Sequence, residues 1–273
     1  MAVNMKGKSF LTLMDLSPLE IRYLLDLGHD LKSKRRAGID APMLKGKHIV
    51  LLFEKTSTRT RCSFEVAATQ ECAHVTFLDA GSSQMGKKES MEDTAKVLGR
   101  FFDGIEYRGF DQKVVEDLAK YAGVPVWNGL TDADHPTQIL ADMMTIEEHC
   151  AKPLRDVKVV FPGDVRNNMC YAWMYGCAKM GMHFVGLGPE ELVNGVDQEV
   201  FRKVQEVAKE TGATIEITSD QNSLVGADVI YGDIWASMGE EDLIPERAKL
   251  LTPFRVTGET LETVTQNARV TGP

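Results

Sequence analysis

Two successive series of short β-rich runs alternating with helical patterns constrain this 273-residue chain most strongly. In the first, apolar runs at 47–53, 75–78, 105–107 and 124–127 alternate with helix-like stretches at 61–71, 92–102 and 113–121. A second series follows the polar, proline-bearing segment Lys152-Pro153-Leu154-Arg155-Asp156. It predicts strands at 157–161, 183–187, 214–217 and 228–231 and helices at 168–180 and 198–210. Such alternation is the signature of parallel sheets covered by helices. The expected fold is therefore α/β: two αβα domains with parallel sheets, 1–150 and 151–273, joined by a linking helix over 136–148. Ligands in this architecture gather beyond the carboxyl ends of strands and at domain interfaces, so the active site is expected in the interdomain cleft.

The run after the first strand carries chemistry. Ser57-Thr58-Arg59-Thr60-Arg61 follows the apolar Ile49-Val50-Leu51-Leu52-Phe53 and opens a helix, whose first backbone N–H groups lack intrahelical acceptors. Hydroxyls and guanidiniums there form a cradle for an anion such as a phosphate. A well-capped helix with two surface arginines has the same sequence, so the run alone leaves both readings open.

Composition bounds the alternatives. Hydrophobic residues at 43% and charged residues at 26% are values of a soluble globular protein. A net charge of -9 argues against nucleic acid or an anionic membrane as the main partner, while leaving room for a local basic pocket. The N-terminal residues lack the apolar core of a signal peptide and no stretch has the length of a membrane span, so a cytoplasmic location is expected. Cys62, Cys72, Cys150, Cys170 and Cys177 have neither zinc-site spacing nor the density of a disulfide scaffold. They are expected to be reduced, mostly buried thiols.

Further candidates lie at other strand ends. Arg108 closes the strand at 105–107, and His135-Pro136-Thr137-Gln138 starts a helix, with Pro136 suited to its first turn. A histidine at that position is expected to be held neutral by the local positive potential. Each of the two also reads as an ordinary surface or loop residue. The stretch Gly81-Ser82-Ser83-Gln84-Met85-Gly86-Lys87-Lys88-Glu89-Ser90 reads as a loop closing over an anion or as a solvated connection. In the second series, Gly163-Asp164-Val165-Arg166-Asn167-Asn168 lacks the G-x-G-x-x-G spacing of a dinucleotide site. Its paired asparagines suit a carboxylate ligand or a helix cap. Asp233 follows the last predicted strand and precedes Ser237-Met238-Gly239, an arrangement able to hold an ammonium group, or simply a solvent-facing aspartate.

Taken together, these residues resemble the carbamoyltransferase family. Phe53-Glu54-Lys55-Thr56-Ser57-Thr58-Arg59-Thr60-Arg61-Cys62-Ser63-Phe64-Glu65 is similar to its carbamoyl-phosphate signature, and His135-Pro136-Thr137-Gln138 to its second shared motif. The segment from Asp233 to Gly239 resembles the Asp-x-x-x-Ser-Met-Gly loop of the ornithine branch. The resemblance implies transfer of a carbamoyl group from carbamoyl phosphate to the δ-amine of L-ornithine, in arginine metabolism of either direction. It implies Ser57, Thr58, Arg59, Thr60, Arg108, His135 and Gln138 around carbamoyl phosphate, with Gln84 supplied by a neighbouring subunit of a trimer. Arg108 and His135 are the implied catalytic groups. Asn168, Asp233, Ser237 and Met238 are implied around ornithine. No metal or organic cofactor is implied.

Two departures accompany the resemblance. After Asn168 the family shows a small residue and then Asn-Ser, where this chain has Cys170-Tyr171-Ala172. Family members also continue beyond the position of Val270 into a His-Cys-Leu-Pro motif, an arginine-bearing segment and final helices. The sequence alone thus keeps three further readings in play: transfer to putrescine, a truncated non-catalytic carbamoyl-phosphate-binding relative, and a two-domain sugar- or anion-binding protein. The last leaves the motifs unexplained.

Overall fold

The computed structural model describes residues 3–40, 42–79, 81, 89–235, 242, 244–262, 264 and 269–271. The chain divides into two compact units, Met1–Leu140 and Ala141–Pro273, the division falling inside one helix.

Unit 1 opens with helix α1 (Pro18–Arg36), which the sequence reading did not include. Its start is nevertheless written in the chain. Ser17 Oγ accepts from the Glu20 amide while the Glu20 side chain accepts from the Ser17 amide, and Pro18 fills the first helical position. Then come β1 (His48–Phe53), α2 (Thr58–Gln70), β2 (His74–Asp79), α3 (Met91–Phe101), β3 (Gly104–Arg108), α4 (Gln112–Tyr121), β4 (Val126–Leu130) and the start of α5 (Pro136–His149). Among the described residues the four strands form a parallel sheet in the order β2-β1-β3-β4.

Side chains alternate across a strand, and β1 is apolar at both parities. Val50 and Leu52 therefore pack with Ala95, Leu98, Val115 and Leu118 of α3 and α4 on one face. Ile49, Leu51 and Phe53 pack with Ala68 of α2 and with Ala73 on the other. Burying each such large side chain stabilises the unit by about 1.5–3 kcal/mol. The fourth strand lies two residues later than expected, because Pro125 supplies only a carbonyl, which accepts from the Ile105 amide, before pairing proper begins.

Unit 2 contains β5 (Lys158–Pro162), α6 (Asn168–Met180), β6 (His183–Leu187), α7 (Glu190–Val193), α8 (Gln198–Thr211), β7 (Thr214–Thr218), β8 (Val229–Tyr231), α9 (Ile244–Leu251), α10 (Gly258–Glu262) and β9 (Arg269–Thr271). Its strands pair in parallel in the order β7-β6-β5-β8-β9 among the described residues. Buried Trp173 of α6 meets Tyr231 edge-on at 5.3 Å between ring centroids, and Phe161 stacks on Tyr231 at 5.9 Å. Among the described residues no helix is long and apolar enough to cross a membrane.

Both sheets reverse direction at their first strand. The chain runs from β1 outward to β2 and returns to the far side of β1 as β3; it runs from β5 out through β6 and β7 and returns as β8. A reversal of this kind separates two connecting loops at the carboxyl ends of adjacent strands and leaves a crevice between them. Ser57 and Arg108 flank that point in unit 1, as Asn167 and Asp233 do in unit 2.

Candidate active site

In unit 1, the loop leaving β1 is fixed at Glu54 through both its backbone and its side chain. The Glu54 amide donates to the Arg108 carbonyl at 2.7 Å, and the Tyr107 hydroxyl donates to Glu54 Oε2 at 2.5 Å. Gly109 lies so close that a Cβ there would meet the Tyr107 hydroxyl at 2.0 Å and Glu54 Oε2 at 2.7 Å, which leaves room only for glycine. Ser57 then caps α2, its Oγ accepting from the Thr60 amide at 3.2 Å. Thr58 and Arg59, on the first turn, are exposed.

Arg108 is not the surface residue that its place at a strand end also allowed. Only 7% of it is exposed, and its Nη1 donates to Thr60 Oγ1 at 3.1 Å and to the Gly129 carbonyl at 3.4 Å. Burial lowers its pKa, the Glu106 carboxyl opposes this, and the nearby Arg59 cation lowers it further. His135 is pushed down to about 3, first by burial and then by the Arg108 charge. The expected neutral imidazole is present, but the dominant cause is desolvation rather than the helix terminus. Thr60, Arg59, Arg108 and His135 are thereby coupled at one end of the sheet, a place of net positive potential suited to an anion. Arg61 belongs elsewhere. It pairs with Glu65 at 2.7 Å and its guanidinium lies 3.7 Å from the Phe77 ring centroid.

Glu106, one full pleat before Arg108 on β3, is hidden in the sequence within an apolar run. It is wholly buried, and neither carboxyl oxygen has a hydrogen-bond partner among the described residues. A Cβ on Gly129 would come within 1.8 Å of Glu106 Oε1, so glycine is what makes room for the carboxyl. Burial raises its pKa from 4.5 to about 8, opposed by Arg108. The native state therefore keeps a proton that the unfolded chain loses, and stability falls as pH rises from about 4.5 to about 8. Glu106→Gln removes this limb. Its melting temperature relative to the parent is expected to climb between about pH 5 and pH 8. A difference that stays constant over that range would contradict the assignment.

In unit 2, Asn167 is the cap of α6 and Asn168 its first residue. Asp233 is partly buried, and burial raises its pKa against the opposing bonds from Ile234 and Asn167. The Ile234 amide donates to its Oδ1 at 2.8 Å and Asn167 Nδ2 to its Oδ2 at 2.9 Å. In the segment that departs from the resemblance, Cys170 is buried with its thiol pKa pushed up by burial, and the Tyr171 hydroxyl accepts from the Asp197 amide at 3.0 Å. Among the described residues no group of three or more His, Cys, Asp or Glu could hold a metal ion.

Comparison with known proteins gives this chemistry a family. Residues 8–148 match the aspartate/ornithine carbamoyltransferase carbamoyl-P binding domain, and residues 155–271 the Asp/Orn binding domain. A catabolic ornithine carbamoyltransferase of Clostridium perfringens (strain 13 / Type A) is 69% identical over 261 residues, 95% of this chain and 78% of that protein. The chain belongs to the ornithine carbamoyltransferases.

A catabolic ornithine carbamoyltransferase of Mycoplasma capricolum subsp. capripneumoniae is 57% identical, over 94% of this carbamoyltransferase and 82% of that protein. Among solved structures, ornithine carbamoyltransferase from Pyrococcus furiosus matches with a TM-score of 0.93 at 38% identity, covering 99% of this chain and 86% of that one. An anabolic enzyme from Campylobacter jejuni matches with 0.90 at 32%, covering 97% and 85%.

Within unit 1 of this carbamoyltransferase, Thr60, Arg59, Arg108 and His135 interact as described, and Gln138 lies on the first turn of α5, its amide donating to the His135 carbonyl at 3.2 Å. Gln84, Ser237 and Met238 fall outside the described residues. The thiol expectation needs correction. All five cysteines are free, but Cys62 and Cys72 are exposed, Cys150 is partly buried, and only Cys170 and Cys177 are buried. Cys62 sits on a solvent-facing side of α2, and Cys72 in the turn after it at a φ of 60°, so neither reaches the core.

Proposed function

We propose that this carbamoyltransferase moves the carbamoyl group between phosphate and the δ-amine of L-ornithine, interconverting carbamoyl phosphate plus ornithine with citrulline plus phosphate. The observation that carries the reading is the convergence at the β1/β3 reversal: Arg108 is bound to Thr60, feels the charge of Arg59 and acts in turn on His135. In this reading Ser57, Thr58, Arg59 and Thr60 cradle the phosphate at the start of α2, joined by Gln84 of a neighbouring subunit in a trimer. Arg108, His135 and Thr60 donate to the carbamoyl oxygen, and Gln138 orients the carbamoyl amide. Asn168 and the Ser237-Met238 segment receive the α-carboxylate of ornithine, and Asp233 its amino groups. Residues 1–150 serve carbamoyl phosphate and 151–273 serve ornithine.

The chemistry asks for these groups. Attack by a neutral amine builds negative charge on the carbamoyl oxygen and on the departing phosphate, and prepositioned cations and donors stabilise both. A neutral His135 can donate one hydrogen bond without carrying a competing charge. No metal or organic cofactor enters the scheme, and the enzyme acts in the cytoplasm. The relatives from Clostridium perfringens and Mycoplasma named catabolic support a role in arginine breakdown, in which citrulline is cleaved by phosphate.

The δ-amine must shed its proton before attack, and an alkylammonium of this kind ionises near ~10.4. Citrulline formation at saturating carbamoyl phosphate is therefore expected to rise from neutral toward alkaline pH. A profile flat over that range would argue that amine deprotonation plays no part in the rate.

A further inference from the structure

Asn167 has no substrate-binding role in the scheme above, yet it is bonded to a residue that does. We infer that Asn167 is the positioning residue for Asp233, locking the acceptor-binding carboxylate to the start of α6. The inference rests on the reading of Asp233 as the group that receives the amino groups of ornithine.

The two ends of an amide are chemically distinct, and the fold uses both. Asn167 Oδ1 accepts from the Cys170 amide at 2.8 Å, so the oxygen end is committed to capping α6. The planar amide then turns Nδ2 outward, and it donates to Asp233 Oδ2 at 2.9 Å. Flipping the amide would present nitrogen to a backbone N–H and oxygen to a carboxylate, losing both bonds. The cap thus dictates the direction of the second bond.

Strand pairing explains why the two residues meet. Val159 and Val160 of β5 are in register with Val229 and Ile230 of β8, so the exit loops of both strands emerge side by side. The Ile234 amide holds Asp233 Oδ1 from within its own loop, while Asn167 holds Oδ2 from the neighbouring one. A second tie fixes the loop farther on. Arg247 of α9 donates to the Trp235 carbonyl at 3.2 Å, and its Nη1 lies 3.7 Å from Asp164 Oδ2. Asp164 also receives Arg166 Nε at 3.1 Å. With one donor on each oxygen, the carboxylate keeps a single orientation, and both bonds favour its ionised form against the burial that raises its pKa.

Two substitutions separate this role from capping. Asn167→Ser and Asn167→Asp both retain a good cap acceptor, but serine is too short to reach Asp233, and aspartate sets a second carboxylate against it. At saturating carbamoyl phosphate, Asn167→Ser is expected to raise the ornithine KM about tenfold and Asn167→Asp about 100-fold, the scale of losing or reversing a bond to a charged group. The KM for carbamoyl phosphate and the melting temperature should stay at parental values, and kcat should fall less than the ornithine KM rises. Adding Asn167→Ser to Asp233→Asn should cost little more than Asp233→Asn alone. If Asp233→Asn raises the ornithine KM but neither Asn167 variant does, the inference fails while the reading of Asp233 stands. Should Asp233→Asn leave that KM unchanged, the reading itself fails and takes the inference with it. A loss of melting temperature with both KM values rising together would make Asn167 a cap and nothing more, overturning the inference.

Discussion

Arg108→Gln is expected to lower kcat for citrulline formation by about 10²–10³, the effect of removing one preorganised donor from a developing negative charge. The size follows from where the guanidinium sits. It is 7% exposed, and Thr60 Oγ1 and the Gly129 carbonyl fix its Nη1 before any substrate arrives. No reorganisation is needed at the moment of reaction, and the surrounding protein screens the charge far less than water does. Glutamine keeps a donor but is shorter and uncharged. It therefore loses both the reach and the cation.

The same substitution separates catalysis from folding. In the parent, the Arg108 charge draws the Glu106 pKa down against the effect of burial. Without that cation Glu106 holds its proton more firmly and remains a neutral buried acid, so the sheet need not house an unpaired carboxylate. His135 stays neutral as well, because burial is the larger cause of its depressed pKa. The variant is expected to melt near the parental temperature and to bind ornithine with a similar KM. A kcat within about threefold of the parent would remove Arg108 from the proposed chemistry.

Much of this arrangement could be read from the chain. Ile49-Val50-Leu51-Leu52-Phe53 is apolar at both strand parities, which only a strand covered on both faces requires, and β1 lies inside a parallel sheet with helices on each side. Ser57 was legible both as a cap and as part of an anion cradle. It serves as the cap, and that is also what brings the first turn of α2 to the strand end. Arg59 and Arg61 look equivalent in the sequence, and a little over half a turn of helix separates their fates: Arg61 faces Glu65 and Phe77, while Arg59 lies within electrostatic reach of Arg108.

Other features depend on contacts that no local pattern encodes. Glu106 carries the same letter as a surface glutamate, and only the neighbouring strand, where Gly129 yields space, reveals it as buried. Asn167 and Asn168 are adjacent and identical, yet the cap geometry sends Asn167 to Asp233, 66 residues away along the chain. The thiols of Cys62 and Cys72 are exposed against expectation, because composition says nothing about which side of a helix or turn faces solvent. Helix α1, by contrast, was announced by Ser17, Pro18 and Glu20 and needed no tertiary information to find.

The acceptor decides the central claim. An acceptor site built to pair both an α-carboxylate and an amino group discriminates strongly against a molecule that leaves those groups unmatched, by about 10⁴ when buried polar partners go unpaired. Putrescine brings the reacting amine without the carboxylate, and aspartate brings a second carboxylate in place of the amine-bearing side chain. The direct measurement is the initial rate of carbamoyl transfer from saturating carbamoyl phosphate to ornithine, putrescine and aspartate, compared as kcat/KM. Ornithine is expected to exceed each of the others by about 10³ or more, with citrulline and phosphate formed in equal amounts. A kcat/KM for aspartate or putrescine equal to or above that for ornithine would contradict the assignment.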